Sequence, residues 1–270
     1  MVAQLTETVQ LGHEELLLLL GILRLPMPVA LGEEPTAGYS DEALNAALNG
    51  ALGSLLARDY VSPPVAGADE PRVSPAVEAL IAESALAERC LLAALERGGA
   101  GQVRCYSARH GRYLAHRRSA EGVHQLRPIA DGTAIAEQLR EVLGPLPPAT
   151  GGDPCTVSAT AFERAIEATS AGRVEAATAA LIADGLDAAR ATDLVERLGP
   201  NPERCVLVLL TGVQSPAPQV ETVVILKGAV GLWRVQEWEG RPDQLEVAPF
   251  DADGAHALVA ALAERLVAAP

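Results

Sequence analysis

The sequence predicts an α+β protein made of two similar halves, each with helices, an antiparallel β-meander and a closing helix. The tripeptide Glu-Arg-Cys occurs twice, at residues 88–90 and 203–205, and an apolar helical stretch precedes both copies. Each copy begins a series of strand-like segments that ends at an aspartate, Asp131 or Asp251, followed by a helical pattern. Repetition at this scale indicates a pseudo-two-fold arrangement of duplicated units.

A helix is predicted from His13 to Leu25, and its five consecutive leucines indicate burial on nearly all sides. Pro26 and Pro28 then end it. No basic region precedes the leucines, and the apolar run is too short to cross a bilayer. We therefore expect no export signal, no membrane insertion and a cytoplasmic location.

A second helix is predicted from the cap residue Ser40 to Ala57, with leucines at helical spacing. It ends in the phrase Leu-x-x-Arg-x-Tyr-Val, which is common where a winged helix gives way to its first wing strand. Residues 63–71 form a loop. Ser74 and Pro75 then start a third helix that runs to about Ala87.

Four strands follow in the first half, and the last of them leads into a helix capped by Asp131. His110 and Gly111 form a tight turn between the second and third strands. The closing helix carries Ile135, Leu139 and Val142 on one face. The predicted strands are Cys90–Leu95, Gln102–Ala108, Arg112–Arg117 and Val123–Ile129.

Residues 144–154 contain four prolines and three glycines, which makes this segment the clearest linker in the chain. We therefore predict a first half at 1–145, a linker at 146–155 and a second half at 156–270, with one continuous domain as the alternative. The second half repeats the plan of the first. Its predicted helices are Thr160–Thr169, Val174–Asp184 and Asp187–Leu198, its predicted strands are Cys205–Leu210, Val220–Leu226, Val230–Glu237 and Gln244–Ala248, and a last helix follows Asp251.

Composition limits the classes of function. Hydrophobic residues make up 49% of the 270 residues, enough for a large core, and the net charge of −14 opposes binding to nucleic acids. The four cysteines form no CxxC pair and fit a reducing cytosol. No G-x-S-x-G, H-E-x-x-H or Walker motif occurs. We therefore expect no enzyme activity, no catalytic residues, no metal and no cofactor.

Two features remain as candidates for partner binding. Positive charge concentrates in residues 104–127, where the turn residues Arg109, His110 and Arg112 could contact an acidic partner. A solvated sheet face that balances an acidic neighbour is the simpler interpretation of the same charges. Trp233 and Trp238 have opposite parity on one strand, so one should point into the core and the other outward as an interface anchor. We assign the outward role to Trp238.

Several phrases resemble the EspG family of ESX (type VII) secretion-associated chaperones. They are Leu-Pro-x-Pro at residues 25–28, the ending of the second helix, and Val-Ser-Pro-Ala-Val at residues 73–77, followed by two halves on one plan. The resemblance covers nearly the whole chain. It implies a quasi-two-fold α+β fold with a central sheet and helical bundles, and a non-enzymatic cytosolic protein that keeps helical PE–PPE-type pairs soluble.

The leading hypothesis is a cytosolic secretion chaperone or adaptor for a helical partner of the PE–PPE or WXG100-like kind, with homodimerisation left open. The first alternative is a winged-helix transcriptional regulator or a ligand-sensing relative, suggested by residues 40–61. The recognition helix of such a regulator would have only Arg58 as a basic residue, against two acidic residues at its start. The second alternative is a small enzyme whose catalytic groups converge from distant parts of the chain.

Overall fold

The computed structural model describes residues 8–32, 35–64, 71–97, 100–119, 121–147, 151–238 and 241–268. The helices are α1 (His13–Leu23), α2 (Asp41–Ala57), α3 (Pro75–Ala85), α4 (Gly132–Leu143), α5 (Ala159–Ser170), α6 (Val174–Ala183), α7 (Ala188–Leu198) and α8 (Ala252–Val267). The strands are β1 (Val9–Leu11), β2 (Val61–Ser62), β3 (Arg72–Val73), β4 (Arg89–Arg97), β5 (Ala100–Arg109), β6 (Arg112–Arg118), β7 (His124–Ile129), β8 (Cys155–Ser158), β9 (Glu203–Thr211), β10 (Gln219–Lys227), β11 (Leu232–Trp238) and β12 (Arg241–Phe250).

One antiparallel sheet of ten strands crosses both halves in the order β1-β7-β6-β5-β4-β9-β10-β11-β12-β8. Strands β4 and β9 pair at its centre, from Arg89 opposite Thr211 to Glu96 opposite Arg204. The strand order outward from β4 mirrors the strand order outward from β9. The outermost strand of each half is a short one, β1 or β8, that comes before the helices of that half in the sequence. This arrangement confirms the predicted α+β class with duplicated halves around a pseudo-two-fold axis.

Each half starts its helices with the cap chemistry that its sequence predicts. Ser74 and Asp131 accept hydrogen bonds from the backbone amides of Val77 and Ala134 at the starts of α3 and α4. Asp251 accepts from Gly254 in the same way at the start of α8. Asp131 and Asp251 therefore play equivalent parts, because each satisfies an amide that the first turn leaves without a helical partner.

The central core lies on one face of the sheet, where α4 and α8 pack against each other over β4 and β9. Leu91 and Leu207 from the two central strands are completely buried there, together with Leu139 and Leu262 from the two helices. Both halves contribute to this core, so neither can bury its closing helix without the other.

The opposite face carries two helical bundles. Helices α1, α2 and α3 cover β1, β6 and β7 with a leucine-rich core that includes Leu16, Leu20 and Leu126. Helices α5, α6 and α7 cover the outer strands of the second half around Trp233 and Phe162. Among the helices of the described ranges, none is long and apolar enough to cross a membrane.

Three details differ from the sequence prediction. The edge strands β1 and β8 were not predicted, and β8 starts at Cys155, the last residue of the predicted linker. The Glu-Arg-Cys copies are also not equivalent: Glu88 precedes β4, whereas Glu203 begins β9. This shift by one residue puts Cys90 on the bundle face and Cys205 in the central core, because strand side chains alternate. The boundary between halves stays a prediction, although one sheet joins them.

Candidate functional site

The two bundles leave the middle of their face of the sheet open. Strands β4 and β9 present apolar side chains there that are only half-buried, because the helices packed most closely on these strands, α4 and α8, lie on the other face. Leu92 lies opposite Val208, and Ala94 lies opposite Val206. We call this surface the central groove; its floor consists of Leu92, Ala94, Val206, Val208 and Leu210.

The composition of β9 explains why the groove is apolar. Residues 205–210 are hydrophobic without interruption, so both faces of the strand carry apolar side chains. Cys205, Leu207 and Leu209 fill the central core. The residues between and after them, Val206, Val208 and Leu210, point to the other face, where no helix packs on β9 as closely as α8 does. A contiguous apolar surface of this kind on a folded protein is a recurrent sign of an interaction site.

One wall of the groove belongs to the first half. A short 3-10 turn at Val29–Leu31 covers Cys90 and Cys105, and Val29 packs beside Leu92 and Leu210 in the same cluster. The loop after β9 is held to this wall, because Gln214 Nε2 donates to the carbonyls of Ala85 and Ala87 at 3.2 and 3.3 Å.

The second half has exposed apolar side chains, and one of them, on β10, extends the groove. Val220 on β10 lies opposite Leu210 and is 60% exposed. In the second bundle, α6 exposes Val174 and Ile182, at 49% and 42%. Sequence reasoning missed all of these residues, because their exposure depends on which strands the bundles cover.

The predicted turn residues lie at the tip of the β5–β6 hairpin, and two of them already have carboxylate partners. Arg112 Nη1 donates to Glu83 Oε1 at 3.0 Å, and His110 Nε2 lies 3.1 Å from Glu88 Oε1. Arg109 is half-buried and has no ion pair among the residues that the structure describes. Their role in partner binding stays a prediction.

The two tryptophans point to opposite sides, as their parity predicts. Trp233 is 2% exposed inside the second bundle, whereas Trp238 is 41% exposed at the end of β11. Trp238 and Arg109 lie at the same end of the sheet, since β5 and β11 run in the same direction. Four strand spacings separate them, roughly 19 Å, so the four predicted residues do not form one cluster.

Three histidines form a buried hydrogen-bonded chain that sequence reasoning did not anticipate, although it placed His116 and His124 in the sheet. His13 Nε2 donates to the carbonyl of Pro35 at 2.6 Å. With neutral rings, His124 Nε2 then donates to His13 Nδ1 at 3.1 Å, and His116 Nε2 donates to His124 Nδ1 at 2.8 Å. Ser84 Oγ completes the chain by donating to His116 Nδ1 at 3.4 Å.

Burial keeps two members of this chain, His116 and His124, neutral. It lowers the pKa of His116 to about 3 and that of His124 to about 4, and the nearby Arg118 acts in the same direction on both. Both rings are almost completely buried, at 1% and 0% exposure, so no substrate can reach them. His116 and His124 are therefore structural residues of the first half.

The four cysteines lie inside the protein rather than at an exposed surface. All four are buried free thiols, and burial raises the pKa of Cys205 to about 12. Across the described parts of the chain, no group of three or more His, Cys, Asp or Glu residues could hold a metal ion.

The helix that the regulator hypothesis requires lacks a basic surface. Helix α2 is followed by the small β2–β3 hairpin, which matches the winged-helix pattern locally. Arg58, the base at the end of α2, donates to Glu15 Oε2 at 2.7 Å and stacks over Tyr60. These internal contacts occupy the base that would otherwise face DNA.

The duplicated ten-stranded sheet and its two bundles match the fold of a solved type VII secretion chaperone. The structure is similar over 97% of this chain and 96% of the other to the Mycobacterium tuberculosis type VII secretion system chaperone EspG5 in complex with the PE25-PPE41 dimer. The TM-score is 0.62 and the sequence identity is 13%. No family model and no curated protein matches the sequence. The likeness therefore establishes an EspG-like fold.

Proposed function

We propose that this protein is a cytosolic, non-enzymatic chaperone that binds a helical substrate of the PE–PPE kind and keeps it soluble before type VII secretion. The observation that carries the proposal is the central groove, an apolar surface at the middle of an EspG-like fold. EspG5, which has this fold, is a chaperone seen in complex with the PE25-PPE41 dimer.

The dimensions of the groove fit one α-helix. Its floor on β4 and β9, extended by Val220 on β10, covers three adjacent strands, and two strand spacings give a width of about 10 Å. An α-helix with its side chains has a diameter of about 10 Å. An amphipathic helix laid along the strands would cover Leu92, Val208 and Val220 with the apolar residues of one face.

Arg109, His110 and Arg112 are proposed as rim contacts at one end of the sheet, and Trp238 is proposed as a separate contact on the opposite face of the same end. A polar rim around a desolvated apolar centre is the usual composition of a protein interface. If the substrate places acidic residues there, reversing the charge of Arg109 and Arg112 together should weaken binding. The Arg112–Glu83 ion pair reduces the expected loss, since Arg112 is already neutralised.

The direct test is co-purification of this chain with PE–PPE pairs encoded in the same genome, followed by affinity measurement. Val220→Asp places a charge on an exposed groove residue, and Val208→Asp places one on the floor. Each should weaken binding at least about tenfold, because a carboxylate would be desolvated in the interface. Val123→Asp is the matched control, since Val123 is a 40% exposed valine outside the groove.

Circular dichroism would establish that each variant folds. Full affinity in the folded Val220→Asp and Val208→Asp variants would exclude the groove as the binding surface. Failure to recover any helical pair from the native host would count against the chaperone function itself.

A further inference from the structure

A cluster of arginines lies on the α4 side of the sheet, away from the central groove. Strand alternation separates the basic segment 104–127 into two faces, and Arg104, Arg117 and Arg127 share the face next to α4. Together with α4 they surround a cavity of about 230 Å³. We call this cavity the arginine pocket; it is also lined by Ala115, His116, Gln125, Gln138 and Glu141.

The floor of the pocket is Arg104, whose side chain is only 16% exposed. Its Nη1 donates to the carbonyl of Gln138 at 3.3 Å and lies 3.7 Å from Glu141 Oε2. Its Nε is buried without a hydrogen-bond partner in the described structure. A buried guanidinium N–H without an acceptor is costly, so an oxyanion in the pocket would relieve this cost.

The rim arginines are not neutralised by the protein. Arg117 lies directly opposite Arg104 on the neighbouring strand, and like charges in this arrangement destabilise a sheet. Arg117 and Arg127 are exposed, and neither has a carboxylate partner among the described residues. Glu141 is itself 71% exposed and compensates Arg104 weakly. The pocket therefore has excess positive charge in a protein whose net charge is −14.

The corresponding strands of the second half provide an internal comparison. On the same face of β11 and β12, Glu246 Oε2 accepts a hydrogen bond from Gln236 at 2.9 Å and lies 3.5 Å from Arg234. That half therefore places one carboxylate against one arginine. The duplicated fold does not require an unbalanced arginine cluster at this position, so the cluster belongs to the first half alone.

We propose that the arginine pocket binds the phosphate group of a small molecule. Guanidinium groups donate in a fixed fork that matches phosphate oxygens, and three of them converge on a cavity large enough for one such group. The Arg104 guanidinium would donate from the floor, while Arg117 and Arg127 would close from the rim. This site lies on the face opposite the central groove and does not depend on the proposed chaperone function.

The experiment is a calorimetric titration of the full chain with inorganic phosphate, pyrophosphate and a nucleoside monophosphate at constant ionic strength. Saturable binding is expected for at least one of them, with a rise in melting temperature as the ligand stabilises the folded state. Stronger binding of the monophosphate would identify a phosphate ester as the ligand, and equal binding would identify the phosphate group alone.

The double variant Arg117→Gln and Arg127→Gln should weaken binding about tenfold or more, because two charge-assisted contacts are lost. Both residues are exposed, so folding should be preserved. The charge-matched control is Arg164→Gln with Arg173→Gln, two exposed arginines of the second bundle, which should bind as the unmodified protein does. Absence of saturable binding, equal weakening in both double variants, or binding of a glutamate-rich peptide but of no phosphate would each overturn the proposal.

Discussion

At the residue scale, the buried histidine chain makes stability depend on pH. The folded pKa values of His116 and His124, about 3 and about 4, lie below the ordinary histidine value of 6.5. The unfolded state therefore binds more protons than the folded state as the pH falls below 6.5, and stability falls with it. One histidine kept neutral costs about 2 kcal/mol near pH 5, and nothing above pH 7.

Urea unfolding between pH 7 and pH 4.5 measures this dependence. The free energy of unfolding should be constant above about pH 7 and should decrease continuously below 6.5. His116→Gln removes one proton-binding group and should reduce the dependence of the unfolding free energy on pH. His256→Gln, which lies outside the histidine chain, should not reduce it. A stability that rises on acidification would show that these histidines are protonated in the folded protein.

A second residue-scale prediction concerns Tyr106, which is completely buried in the central core. Its hydroxyl makes no hydrogen bond of ordinary geometry in the described structure; burial raises its pKa, and the neighbouring Arg104 guanidinium acts in the opposite direction without cancelling the rise. Tyr106→Phe removes this polar group and keeps the ring, so it should stabilise the protein by about 1 kcal/mol. Thermal unfolding at pH 7 provides the measurement. Destabilisation by Phe would mean that the hydroxyl is hydrogen-bonded, for example through a buried water.

At the element scale, the turn between β10 and β11 is fixed against the end of α7. The amides of Ala229 and Val230 donate to the carbonyls of Leu198 and Arg197 at 3.1 and 2.9 Å, which satisfies the last carbonyls of the helix. A Cβ on Gly228 would lie 3.0 Å from Leu198 Cα and would also collide with the carbonyl of Arg197.

Gly228→Ala should therefore destabilise the protein by about 1–3 kcal/mol, because the backbone of α7 or of the turn must shift. Gly53→Ala is the matched control: a Cβ there meets nothing within 4 Å, in the middle of the exposed part of α2. That variant should stabilise by about 0.5–1 kcal/mol through helix propensity. Equal effects of the two substitutions in chemical denaturation would contradict this account of the turn.

The long elements were predictable because their signals are local. The apolar spacing of α2, the caps Ser74 and Asp131, and the uninterrupted apolar run in β9 each indicate an element without reference to the rest of the chain. Strands β1 and β8 have three and four residues, too few for a periodic pattern, and they form because an edge of the sheet is available to them. Their pairing is tertiary and therefore invisible in the sequence.

The candidate sites were predictable only in part, for a related reason. The sequence singled out the basic segment and Trp238, because charge content and strand parity can be recognised locally. The arginine pocket requires the hairpin register that puts Arg104 opposite Arg117, and the central groove requires β4 and β9 to pair. The literal Glu-Arg-Cys repeat correctly indicated duplication, although its register is shifted by one residue in the structure.

At the scale of the whole molecule, the groove and the central core both depend on the junction between the halves. Leu92 of the first half and Val208 of the second lie side by side on the groove floor. Behind them, α4 and α8 pack together in the core that includes Leu91 and Leu207. The central groove is built across the pseudo-two-fold axis and thus exists only while the two halves remain joined.

This junction predicts that the protein unfolds as one cooperative unit. Both tryptophans, Trp233 and Trp238, lie in the second half, so their fluorescence reports on that half alone. Leu80→Ala removes a buried side chain from α3 in the first half and should cost about 2–5 kcal/mol. Because the sheet and the α4–α8 contact couple the halves, the tryptophan midpoint should fall by the same amount as the midpoint seen by circular dichroism. A tryptophan transition unchanged by Leu80→Ala would instead support two independent domains, at residues 1–145 and 156–270.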